Sequence, residues 1–69
     1  MKLYELAIKN AHGDIIARGG IKAGRSVVYG WKKYNEKNCP WMLKNKIRYS
    51  VVVADDDAIT QEEFLSGKN

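Results

Sequence analysis

A covalent or acid–base mechanism in this chain would have to start from Cys39 and His12, its one cysteine and one histidine. A nucleophile needs a base within hydrogen-bond reach, and no spacing relates these two. His12 reads as an exposed turn residue within Asn10-Ala11-His12-Gly13, and Cys39 as a small, half-buried side chain at a helix end. Asp55-Asp56-Asp57 offers oxygens to Mg²⁺ or Ca²⁺, yet consecutive aspartates diverge. The alternating ligands, central glycine and closing glutamate of a calcium loop are absent, so a solvated turn is expected there. Gly19-Gly20 and Gly24 complete neither GxGxxG nor GxxxxGK[ST], so turn geometry accounts for them. A lone cysteine forms no internal disulfide and has no Cys or His neighbour at metal-ligand spacing. The sequence therefore predicts no catalytic residue, no metal and no cofactor, and the chain is not read as an enzyme.

Recognition chemistry is better represented. The net charge is +4, but it is unevenly placed. Residues 1 to 54 carry eleven Lys/Arg against three acids, a net of +8, while residues 55 to 69 carry one Lys against five acids, a net of −4. A basic body suggests an acidic or phosphate-bearing partner, with the acidic tail docking in cis or tuning that attraction. Solubility alone is the bland alternative. Within the body, Lys9, Arg18, Lys46 and Arg48 could neutralise phosphates largely without sequence preference. Tyr29 lies beside Lys32 and Lys33, where an amphipathic ring next to ammonium groups suits a phosphate-rich or a protein surface. The segment Trp41-Met42-Leu43 either closes the core or forms an apolar anchor rimmed by Lys37, Lys44 and Lys46, the composition of an interface hot spot.

These residues need elements to hold them. A chain of 69 residues buries only about 60% of its unfolded surface and supports one domain, residues 1–69, of marginal stability. Its longest apolar run, Val51-Val52-Val53-Ala54, falls far short of the roughly 18 residues of a membrane helix. Met1-Lys2-Leu3-Tyr4-Glu5 does not read as a signal peptide, so a cytoplasmic location is expected.

KLYELAIK at residues 2 to 9 alternates, with Tyr4, Leu6 and Ile8 on one face and Leu3, Glu5, Ala7 and Lys9 on the other. The turn residues Asn10 and Gly13 lead into Asp14-Ile15-Ile16-Ala17-Arg18, predicting a β-hairpin. From residue 24 to about 37 the period becomes helical. Val27, Val28, Trp31 and Tyr34 form an apolar stripe largely opposite Arg25, Lys32, Lys33, Glu36 and Lys37. Pro40 makes continuation unfavourable. Ile47, Tyr49, Val51 and Val53 alternate along a strand at about residues 46 to 54, and Thr60-Gln61-Glu62-Glu63 resembles a capping box opening a short helix that Gly67 closes.

The expected fold is α+β, a ββαβα arrangement with a three-stranded antiparallel sheet of order 2-1-3, one helix on one face and a short C-terminal helix. The expected core is Tyr4, Leu6, Ile8, Val27, Val28, Trp31, Ile47, Tyr49, Val51 and Val53. The other face is expected bare, showing Glu5, Ala7, Lys9, Arg18, Lys46, Arg48 and Ser50. That face lacks the aromatics on which single strands stack.

No family is recognised in these residues. The reading is a non-enzymatic binding protein that occupies a macromolecular surface, as a stoichiometric inhibitor or modulator of a protein. Small inhibitors of nucleic-acid machinery, including those of phages and mobile elements, offer a class-level analogy. The contact residues expected are Lys9, Arg18, Tyr29, Lys32, Lys33, Trp41, Met42, Lys44, Lys46 and Arg48. A weakly sequence-specific DNA- or RNA-binding module is the alternative. A self-assembling subunit or homodimer is the third reading, because bare faces and edge strands also pair with their own kind.

Overall fold

The alternating residues of the N-terminal third fold as predicted into a hairpin, β1 (Tyr4–Lys9) and β2 (Ile15–Arg18). Asn10 shapes its turn by accepting from the main-chain N–H groups of His12 (2.9 Å) and Asp14 (3.0 Å) through its side-chain oxygen, a local bond that asparagine makes readily in turns. A third strand, β4 (Arg48–Val53), lies antiparallel on the other side of β1, so the sheet order is β2-β1-β4. The helix α1 (Arg25–Asn38) crosses between the hairpin and β4 and packs on both β1 and β4. The structure, a computed structural model, describes residues 2–40 and 46–67.

Two short strands were not anticipated. Ile21–Lys22 (β3) and Ile59–Thr60 (β5) pair in parallel, and α2 (Gln61–Leu65) follows β5. The strand expected third is thus fourth in chain order. Two-residue strands carry no readable periodicity, which is why the alternation rule passes over them. The start of α2 matches its sequence signature. Thr60 Oγ1 accepts from the Glu63 N–H at 3.1 Å, and the Glu63 carboxylate accepts from the Thr60 N–H at 3.0 Å, a capping box.

Cross-strand register puts Leu6 opposite Val51 and Ile8 opposite Tyr49 and Ala17. Leu6 and Trp31 line one small cavity, so the expected apolar face does meet the helix. Burial, however, falls short of expectation: of the ten residues expected in the core only Val28 is fully buried, and Tyr4, Leu6, Ile8, Trp31, Ile47, Tyr49 and Val51 are half-buried. Val27 and Val53, expected in the core, are 44% and 52% exposed, and Tyr34 is 68% exposed. The side of α1 toward the sheet centres on Val28, which is fully buried, with Trp31 and Asn35 half-buried. A polar residue takes a place on that side because the Asn35 amide donates to the Trp31 carbonyl at 2.8 Å, and the helix is rotated so that Val27 and Tyr34 fall outside. Val53 ends its strand opposite Tyr4.

The opposite face is not bare. Glu5, expected in solvent, has no exposed surface, and Ala7 is 1% exposed. Arg18 bends across Glu5, donating to its carboxylate at 2.8 Å, while the main-chain N–H groups of Asp55 (2.6 Å) and Gly20 (3.0 Å) donate to the same group. Gly20 adopts φ +82°, a conformation glycine takes without steric cost, and so turns its N–H toward the carboxylate. The buried charge is therefore fully hydrogen-bonded, the condition under which burial is tolerated. Ala7, in the central strand opposite Arg18 and Ser50, is short enough for its longer neighbours to shield it.

The acidic segment is held by backbone pairing. β5 pairs with β3, and the Asp55 N–H reaches Glu5. Among the described residues the ion pairs are Arg18–Glu5 and Lys32–Glu36, and neither involves residues 55–67. The docking of this segment thus rests on hydrogen bonds, with the Lys22 charge adding a weaker attraction that helps hold the Glu63 carboxyl below its ordinary pKa after the Thr60 hydrogen bonds.

Candidate functional site

The ten residues singled out by sequence separate into three groups. Lys9 and Arg48 stand directly opposite one another across β1 and β4, a like-charged pair on the face away from α1. Arg48 is exposed and donates to the Asn10 carbonyl at 3.3 Å. Arg18, on the same face, is spent on Glu5 and on the Val53 carbonyl (3.2 Å); its charge is neutralised within the chain. Lys46 is exposed just ahead of β4, at φ +59°, and so belongs to the approach to the strand, not to the sheet face where it was expected. Trp41, Met42 and Lys44 lie outside the described residues.

The second group sits on α1. Tyr29 is 44% exposed, and the ammonium groups of Lys32 and Lys33 stand 5.4 and 5.5 Å from the centre of its ring, within cation–π range. Lys32 also bonds the Glu36 carboxylate at 2.9 Å, one helical turn on. Since Glu36 is the one acid of α1, the charges of Arg25, Lys33 and Lys37 face solvent without an acid on their own helix. Arg25, Ser26 and Tyr29 together line a shallow depression at the N-terminal end of this flank.

No protein-family model, curated protein or solved structure matches this chain. The surface has to be judged on its own chemistry. It presents cations around one aromatic ring, which suits anion recognition. His12 is exposed in the hairpin turn, and Cys39 is half-buried at the end of α1. There the Tyr49 hydroxyl is pushed above its ordinary 10.0 by burial first and by the neighbouring Cys39 thiol second. Among the described residues no group of three or more His, Cys, Asp or Glu is placed to hold a metal ion, and no helix is long and apolar enough to cross a membrane.

Sequence reasoning selected Tyr29, Lys32 and Lys33, left Arg25 and Ser26 out, and assigned Lys37 to the rim of the Trp41-Met42-Leu43 anchor instead of to this flank. The signal for the two cations was present. Arg25, Tyr29, Lys33 and Lys37 are four residues apart, the spacing that keeps side chains on one flank of a helix. Ser26 carries no such signal, and only the depression beside Tyr29 draws attention to it.

Proposed function

We propose that the protein is a non-catalytic binding protein whose exposed α1 flank, centred on Tyr29, occupies an anionic surface of a protein partner and modulates that partner stoichiometrically. The observation that carries this reading is the exposed Tyr29 ring with two ammonium groups within cation–π range, on a helix whose one acid is engaged by Lys32. Tyr and Arg are favoured at the centres of protein interfaces, where a ring contributes contact area at low entropic cost. Action in the cytoplasm and kinship in mode with the small inhibitors of phages and mobile elements belong to the same proposal.

A second reading, direct and weakly specific binding of nucleic acid, is favoured by the Lys9–Arg48 pair on the sheet face away from α1. Two cations side by side repel unless an anion joins them. The deciding experiment captures partners from the native host with and without nuclease, using wild type, Tyr29→Ala plus Lys33→Glu, and Lys9→Glu plus Arg48→Glu. A protein retained after nuclease and lost with the α1 variant is the expected result. Recovery of nucleic acid alone, lost with the sheet variant, refutes the first reading in favour of the second.

A further inference from the structure

Arg25, Tyr29, Lys33 and Lys37 recur at every fourth position of α1, and all four are exposed. At 1.5 Å of rise and 3.6 residues per turn, such a row advances about 6 Å per step and drifts about 40° around the axis. Over the three steps from Arg25 to Lys37 the drift totals about 120°, so a carboxylate row of the same spacing on another α-helix matches this one where the two helices cross at the roughly −50° of i±4 ridge packing. We propose that the α1 flank recognises an acidic α-helix of a protein partner, laid across α1 at that ridge angle with its Asp or Glu side chains four residues apart. This rests on the reading of α1 as the docking flank and names the chemistry that the flank selects.

Charge complementarity carries the choice of occupant. Three cations in a row, with the helix's own acid tied to Lys32, need a matching row of anions. The placement of Tyr29 within the row favours a protein over a phosphate backbone. An exposed tyrosine ring supplies contact area of the kind that protein interfaces use at their centres, whereas phosphate neutralisation would gain more from a fourth cation. The adjoining positions Ser26 and Gly30 are small, and among the described residues a Cβ at Gly30 would meet nothing within 4 Å beyond its own stretch of helix, so the flank suits a second helix at about 8–10 Å between axes.

Three probes test the proposal by fluorescence anisotropy near physiological salt. The first is a side-chain-stapled helical peptide with glutamates at every fourth position over three turns. The second is a stapled peptide of the same composition with its glutamates spread around the helix, and the third is a short DNA duplex. The in-row peptide is expected to bind at least about tenfold tighter than the spread one, and Lys33→Glu or Tyr29→Ala to weaken it by about tenfold, as expected for central interface positions. Lys2→Glu makes the same charge change at an exposed residue outside α1 and is expected to leave binding within about twofold. Circular dichroism confirms the fold of each variant. Equal binding of the two peptides, or no binding of either, overturns the proposal. Duplex binding that Lys33→Glu abolishes overturns the acidic-helix partner while keeping α1 as the docking flank. Binding sensitive to Lys9→Glu plus Arg48→Glu but not to Lys33→Glu overturns both.

Discussion

Protonating Glu5 would take a charge away from three donors at once: the Arg18 guanidinium and the main-chain N–H groups of Gly20 and Asp55. Burial by itself raises the pKa of this carboxyl, but these hydrogen bonds and the Arg18 charge outweigh it, and the net position is below the ordinary 4.5. The unfolded carboxyl therefore binds its proton first as pH falls. The stability that Glu5 confers is complete above about pH 4.5 and is lost as pH falls from there through the depressed folded value. Urea unfolding across this acidic range is expected to show that loss in wild type and a flatter profile in Glu5→Gln. At neutral pH the substitution keeps the shape but replaces a charged acceptor, and is expected to cost about 1–3 kcal/mol. An unchanged midpoint would remove Glu5 from its structural role. Sequence alone placed this residue in solvent, because strand alternation gives the side to which a carboxylate points and says nothing of the donors that two distant loops bring to it.

For α1 the corresponding question is which of two overlapping stripes turns inward. Val27, Val28, Trp31, Tyr34 and Asn35 fit helical spacing in either of two rotations, and hydrophobicity favours the one that buries Tyr34. The structure takes the other, with Asn35 inward and bonded to the Trp31 carbonyl. The existence, length and approximate ends of the helix were legible because a change of period and a nearby proline are strong local signals; its rotation depends on packing against β1 and β4, which no local signal encodes. The exposed flank was legible in part, since Tyr29 falls off both stripes. Gly30 is open to improvement on the same grounds. It is exposed in the helix interior, where glycine costs about 0.5–1 kcal/mol relative to alanine, and an added methyl would meet nothing within 4 Å. Gly30→Ala is expected to raise the denaturation midpoint by that amount, and a lower midpoint would contradict the described environment.

At the scale of the whole molecule, the acidic segment is part of the fold as well as of the charge pattern. Cutting the chain before Asp55 would remove a donor from Glu5 and the partner of β3, so the truncated protein is expected to lose cooperative thermal unfolding. A truncated protein that still unfolds cooperatively would show the segment to be dispensable. Its electrostatic effect is better measured with Asp56→Asn plus Asp57→Asn, two exposed turn residues. This variant is expected to stay folded and to bind an anionic partner more tightly than wild type does, with the gain largest at low salt and hidden by screening at high salt. No gain at low salt would leave the segment without a tuning role. The Glu5–Asp55 tie also spans 50 positions of sequence, and that separation bears on how fast the chain finds its shape. Helix α1 can form within about a microsecond from local contacts, whereas β1 has to close a loop of most of the chain before β4 and the turn beyond it reward the encounter. Refolding is therefore expected to be limited by this closure, with helical ellipticity developing before sheet signal in a stopped-flow trace. The β3–β5 pairing, short and peripheral, is expected to form after the barrier, so Ile59→Ala should accelerate unfolding and leave the folding rate unchanged. A slowed folding limb would instead put that small parallel pair inside the nucleus.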